Sequence, residues 1–240
     1  MRDVGTIVRG IRTPIIKEGD DLATIVCDSV IKASKSEHFE FEDRDVIAIT
    51  EAVVGISEGN FATLDQIATD IKNKLASDHI GIVFPILSRN RFAVLLSAMA
   101  RATKKITLLS SYPSDEVGND ILYREDLIKY GINPSSDVIS EEEYKEKFSH
   151  FKHLFTGVNM YEVYKELVEK EGCEFEMIFS NNPETILDYT KTVINCDIHT
   201  RKDTKERLLK AGARDGNRTH KVLNRQILSL MRLPVPPHLH

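Results

Sequence analysis

The chain has little cysteine, no long apolar run, no excess of basic charge and no glycine-rich phosphate loop. Cys27, Cys173 and Cys196 are odd in number, far apart and without a Cys-x-x-Cys pair. That pattern argues against a disulfide framework or a structural zinc site and points to a reducing compartment. No apolar stretch approaches the ~18–20 residues that a membrane helix needs. At the start, Met1-Arg2-Asp3-Val4-Gly5 interrupts any leader-like apolar segment with charge and glycine. A net charge of −5 and a pI of about 5.9 are unlike a general nucleic-acid binder, which carries a basic face. Neither a Walker-type loop nor Gly-x-Gly-x-x-Gly occurs, and no internal repeat is visible. With 41% hydrophobic and 29% charged residues, the expectation is a soluble, cytoplasmic, globular protein with neither membrane nor nucleic-acid partners.

The pattern of apolar residues supplies a sequence of elements. Residues 4–11 alternate as a first strand. A helix then runs from Asp20 or Asp21 to about Ser34, with the stripe Leu22, Ile25, Val26, Val30 and Ala33 at the helical period. Residues 45–54, rich in Val, Ile and Ala, suit a buried strand. Thr63-Leu64-Asp65-Gln66 is a capping-box signature for a helix that buries Leu64, Ile67, Ala68, Ile71 and Leu75. Residues 79–87 form the next strand, Ser88-Arg89-Asn90 a helix entry, and Phe92, Leu95, Leu96 and Met99 the buried side of the helix that follows. A strand over 105–110 leads into the polar turn Tyr112-Pro113-Ser114-Asp115-Glu116. Residues 121–170 read as mostly charged helix, strongest over 140–148 and 160–170. A strand at 173–179, a break at Asn181-Asn182-Pro183, a short helix at 184–189, a strand at 192–199 and a basic helix at 201–211 complete the pattern. The class implied is α+β, with mixed α/β alternation in the N-terminal half.

Within this pattern, Ile16-Lys17-Glu18-Gly19-Asp20-Asp21-Leu22 is followed by Asp45-Val46 opening an apolar run and Glu58-Gly59 closing it. In order and wording this resembles the N-terminal region of the coenzyme F420-0:L-glutamate ligases, the gamma-glutamyl ligases of the deazaflavin cofactor. The likeness is clear over the first quarter of the chain and diffuse beyond it. The resemblance implies an α+β fold working as an intertwined homodimer. The activity implied is amide formation between a carboxylate substrate and L-glutamate or a similar amino acid. It would run through an acyl phosphate, with GTP as co-substrate and Mg²⁺ or Mn²⁺ as metal. It also implies that the turn Thr13-Pro14-Ile15-Ile16 meets the nucleotide, through backbone groups stiffened by proline. The alternative is that this turn simply links strand and helix. Asp20 and Asp21 are expected to cap the helix N-terminus rather than bind metal, and Lys17 and Glu18 to form a solvated pair. Where the family places small hydroxyl residues and then a lysine before its Glu-Gly, this chain has Glu51, Ala52 and Ile56, so a phosphate-facing cation is missing there. Thr50 and Glu51 stay as polar candidates beside the run, where α/β ligand sites tend to lie.

Three further clusters carry chemistry. Arg89 and Arg91 at a helix entry suit a phosphate or carboxylate, or are exposed arginines beside a cap. Asp115 and Glu116, after a strand and a proline turn, are candidate ligands for Mg²⁺ or Mn²⁺. Cys196-Asp197-Ile198-His199 holds an Asp–His pair, more simply a histidine paired with a surface carboxylate than a zinc or acid–base site. No catalytic residue is assigned.

The end of the chain differs from the rest. Residues 215–240 hold Arg218, Lys221, Arg225 and Arg232 against Asp215 alone, a net +3 in a chain of net −5. Leu233-Pro234-Val235-Pro236-Pro237 cannot continue a helix or a central strand. The expected organisation is a ligase-like domain over 1–213, in halves 1–120 and 121–213, then a basic, proline-ended tail over 214–240 that is disordered or out of frame and replaces a longer C-terminal part. Two other readings stand beside the ligase: a non-catalytic nucleotide- or anion-binding remnant, and a structural dimerisation domain.

Overall fold

The computed structural model describes residues 5–214. The expectations for the tail beyond them lie outside the described residues. The chain divides into two compact units, Met1–Phe61 and Ala62–His240.

The second unit is built on a parallel sheet. Its elements are helix α3 (Leu64–Leu75), strand β1 (His79–Val83), α4 (Phe92–Ala102), β2 (Lys105–Ser110), α5 (Arg124–Tyr130), α6 (Glu141–Lys147), α7 (Met160–Lys170), β3 (Glu174–Phe179), a 3₁₀ turn (Pro183–Asp188), β4 (Val193–Asn195) and α8 (Arg201–Lys210). The strand order is β3-β2-β1-β4 and all pairs are parallel, with His79 beside Lys105, Lys105 beside Glu174, and Gly81 beside Val193. Two strands come from before residue 120 and two from after it. The chain steps outward from β1 to β2 to β3, then crosses back to place β4 on the other side of β1.

Alternation along the strands sorts the apolar residues onto two faces. Ile80, Ile82, Ile106, Leu108, Phe175, Met177, Phe179 and Ile194 join Ala68, Leu96, Met99, Tyr144, Tyr161, Tyr164 and Val168 from the covering helices. Val83, Leu109, Ile178 and Val193 face the opposite way, onto Ile186, Leu187 and Leu208. Gly81 also faces that way: a Cβ there would lie 2.6 Å from Ile186 Cγ1 and 3.0 Å from Thr190 Cγ2, so the 3₁₀ turn sits on the sheet only because this position lacks a side chain.

Local chemistry starts these elements where the sequence marks them. Thr63 accepts from the Gln66 amide, and Gln66 returns its Oε1 to the Thr63 amide at 2.8 Å, completing the capping box. The strand expected over 79–87 stops at Val83, because Phe84 adopts φ +53°. The one expected over 192–199 stops at Asn195, whose side chain accepts from the Asp197 amide and turns the chain.

The first unit contains α1 (Leu22–Glu37) and α2 (Glu51–Ser57). No described residue of this unit lies in a strand. The two strands expected here are therefore corrected. Residues 5–11 lie in no strand, and 45–54 splits into an irregular stretch and the start of α2. A short Val/Ile/Ala run has the same apolar content in either state. The helix begins where Thr50 stays extended (φ −73°, ψ 143°) and Glu51 brings an acid to the positive end of the helix dipole.

Candidate functional site

Each unit carries a cleft. In the first, Gly19 enters the left-handed region (φ +84°) and its amide donates to Ser57 O at 2.9 Å, tying the Lys17–Asp20 turn to the end of α2. Asp20 accepts from the Lys17 amide at 2.7 Å, closing the turn. Asp21 is the N-cap of α1, accepting from Thr24 Oγ1 at 2.7 Å and from the Thr24 amide at 3.2 Å. Those bonds, the hydroxyl's first, hold its carboxyl below the usual carboxylate range. Asp21 thus caps the helix as its sequence position implied, while Asp20 closes the turn before it instead of capping the helix.

Beside this turn lies a cleft of about 450 Å³, walled by Ile7, Ile11, Leu22, Val26, Phe39 and Ile47 with Arg9, Glu40 and Asp45 at its polar margin. Arg9 stacks over Phe39, 4.8 Å from the ring centre. Of the nucleotide candidates, Thr13, Ile16 and Thr50 line this cleft; Pro14, Ile15 and Glu51 do not. Ile15 is exposed, and Glu51 begins α2. A cleft whose lining is about equally polar and apolar suits a flat ring with hydrogen-bonding edges.

In the second unit, a cleft of about 220 Å³ opens at the carboxyl ends of β1, β2 and β4, lined by Phe84, Ser111, Ser114, Asp115, Glu116, Asp197 and Thr200. This is the topological switch point of the sheet, since β2 and β4 leave β1 on opposite sides, and open parallel sheets take ligands in that crevice. Phe84, a bulky residue held left-handed at the end of β1, marks local backbone strain at the rim.

The carboxylates in this cleft are engaged. Asp115, 6% exposed, accepts at one oxygen from the Leu87 amide and Asn119 Nδ2, and at the other from the Val117 and Asn119 amides, at 2.8–3.1 Å. Glu116 accepts from the Ile198 amide at 3.0 Å and the His199 amide at 3.1 Å, and His199 Nδ1 lies 2.9 Å from its carboxylate as an ion-pair partner. Asp197 is buried and accepts from the Thr200 amide, Thr200 Oγ1 and Thr204 Oγ1, which anchors the start of α8. Four donors fill the lone-pair directions of Asp115, and two backbone amides with the His199 ring beside them engage Glu116. The pair as it stands does not offer a divalent cation two free carboxylates. Among the described residues no group of three or more His, Cys, Asp or Glu side chains is arranged to hold a metal ion. Next to Asp197, burial pushes the Cys196 thiol up to about 12, so it stays protonated at neutral pH.

Arg89 and Arg91 lie at the entry to α4. Ser88 caps that entry, accepting the Arg91 amide on its hydroxyl at 3.0 Å and the Ala93 amide on its carbonyl. Both arginines are exposed, and among the described residues neither forms an ion pair.

A model of the family described as F420-0:Gamma-glutamyl ligase matches residues 10–214 of the 240. The chain belongs to this family. The match runs through both units, well past the quarter of the chain where the motif resemblance is clear. No curated protein and no solved structure matches the chain. Mixed helices around a parallel sheet agree with the α+β class, and among the described residues no helix is long and apolar enough to cross a membrane.

Sequence reasoning had pointed to Asp197 and His199 as a pair on one strand. They are instead divided: Asp197 turns inward to α8 and His199 outward to Glu116, the surface-carboxylate pairing expected for it. Phe84, Ser111 and Thr200 were missed. Nothing in the sequence singles them out, because the crossing of β4 past β1 brings them together.

Proposed function

We propose that the protein is an acid–amino-acid ligase of the gamma-glutamyl type, joining L-glutamate or a similar amino acid to a small carboxylate substrate with GTP as co-substrate. In the first step a carboxylate oxygen attacks the γ-phosphorus of GTP, the bond to the bridging oxygen breaks, and an acyl phosphate and GDP result. In the second the amino group attacks the acyl carbon, phosphate departs with its oxygen, and the amine proton leaves to solvent or to the phosphate. Mg²⁺ or Mn²⁺ would neutralise charge on the triphosphate, whose oxygens share such ions with water and protein oxygens. The observation that carries the reading is the family match over residues 10–214.

The chain's own groups offered for the nucleotide are the Thr13-Pro14-Ile15-Ile16 turn with Thr50 and Glu51, and the Arg89 and Arg91 guanidinium groups. Support for the first set comes from the cleft that Thr13, Ile16 and Thr50 share. Support for the second comes from two exposed cations at a helix start that form no ion pair among the described residues. The reading includes a homodimer. It is supported by the irregular segments of the first unit, where Val8 (89% exposed) and Val46 (86%) present apolar side chains outside any strand among the described residues. Val46→Asp is expected to shift the protein from dimer to monomer in light scattering; a wild-type monomer at all concentrations would remove this part.

One observation favours a second reading, a binding remnant without turnover: Glu51, Ala52 and Ile56 stand where the family resemblance implies hydroxyls and a lysine. The thermal midpoint with GTP and Mn²⁺, alone and together, separates the two. A ligand at about 100 times its Kd adds roughly 2.7 kcal/mol, about 2–4 °C in a domain of this size. A shift needing both favours the ligase, a shift with GTP alone favours the remnant, and no shift contradicts both.

A further inference from the structure

The loop after β2 is fastened to the loop of every other strand. Towards β1, Asp115 accepts the Leu87 amide at 2.8 Å. Towards β3, the Asn181 side chain accepts the Tyr112 amide at 3.1 Å and donates to Tyr112 O at 2.7 Å. Towards β4, Glu116 accepts the Ile198 and His199 amides, with the His199 imidazole 2.9 Å from its carboxylate. Asp115 and Glu116 are neighbours in sequence, yet their carboxylates reach different loops, those after β1 and after β4. Each carboxylate receives backbone N–H groups, the geometry of a tie rather than of a cation cage.

We infer that Asp115 and Glu116 act as a two-armed clasp that sets the spacing of the cleft walls, and that the free protein takes up no divalent cation through them. Glu116 is a positioning residue: it holds the 197–200 turn, and with it the Asp197 and Thr200 side chains that line the cleft. Any metal used in turnover then arrives on the nucleotide. This rests on the ligase reading only in treating the cleft as part of the site, and its tests need neither nucleotide nor turnover.

Residue-resolved amide exchange on the whole protein tests the clasp. Glu116→Ala should speed exchange at Ile198 and His199 about tenfold or more, the loss of charge-assisted hydrogen bonds, and leave Leu87 unchanged. Glu116→Gln, which keeps one accepting oxygen, should restore part of that protection. Asp115→Asn should loosen Leu87 and leave Ile198 and His199 as they were; should it fail to fold, the two Glu116 variants decide alone. Unchanged exchange at Ile198 and His199 in Glu116→Ala, or equal loosening of Leu87, overturns the clasp. Mn²⁺ titrated alone into the wild type should cause no saturable paramagnetic broadening at residues 115–119. Saturable broadening there that Glu116→Gln abolishes would overturn the inference in favour of a cation site.

Discussion

The two units of this chain divide the labour of being recognisable and being stable. The first carries the wording that resembles the gamma-glutamyl ligases, yet Val30 is its one buried apolar residue among those described, at 8% exposure. The second has few such words, yet it holds a parallel sheet with apolar residues sealed on both faces. Distinctive wording in a region that buries little is there for something other than packing, since surface turns hold binding groups while core positions need only suitable volume. The Lys17–Asp20 turn fits this: its glycine, the Asp20 carboxylate that closes it and its tie to Ser57 fix a backbone path beside a cleft.

The comparison can be broken by mutation. The largest effect belongs to the second unit: Leu96→Ala, at a fully buried position, should cost about 2–5 kcal/mol by transfer and cavity terms. Val30→Ala in the first unit should cost less than half as much. Denaturant unfolding measures both, and equal losses would deny that stability is concentrated in the second unit. Gly81→Ala comes next. It should destabilise by about 1–3 kcal/mol, because Ile186, itself fully buried, has no room to withdraw. A neutral result would mean that the 3₁₀ turn does not pack on the sheet as described.

The smallest effect is one of pH. On the sheet face opposite α4, His79 Nε2 lies 2.8 Å from Thr107 Oγ1, Thr107 donates to Glu176, and Lys105 pairs with the same carboxylate at 3.0 Å. Thr107 has one proton and gives it to Glu176, so His79 must be the donor, which assigns it the Nε2–H tautomer. Burial first, and Lys105 second, lower the His79 pKa, against the smaller opposing pull of Glu176 and Glu174. A folded-state value below the unfolded one, near 6.5, means that the unfolded chain binds the extra proton first. Stability is therefore full above about pH 6.5 and falls as pH drops from there through the folded-state value. His79→Gln should flatten the decline in thermal midpoint between about pH 7 and pH 5; an unaltered decline would assign it to other groups.

What the sequence disclosed follows the same division. In the second unit the periodicity placed β2 at 105–110 with its observed bounds, and the capping box placed the start of α3, because both signals are local and undiluted by partners. In the first unit the run at 45–54 misled, since an apolar stretch of that length reads alike as strand or helix. The site was least legible. Glu116 meets backbone amides 82 and 83 residues away, and a carboxylate's choice between metal and amide is made by chain crossings that no local pattern records. His199 was the exception, because a histidine near a surface carboxylate needs only one partner.

The central claim is that this family member makes an amide. The most direct measurement is mass spectrometry of the full-length protein incubated with coenzyme F420-0, L-glutamate, GTP and Mn²⁺, with parallel reactions in which other small acids replace F420-0. The account predicts a product heavier by one glutamyl unit, formed with GDP and phosphate in equal amounts and absent when glutamate or GTP is omitted. Bound nucleotide with no GDP and no conjugate on any acid would contradict it and leave a domain that binds without ligating.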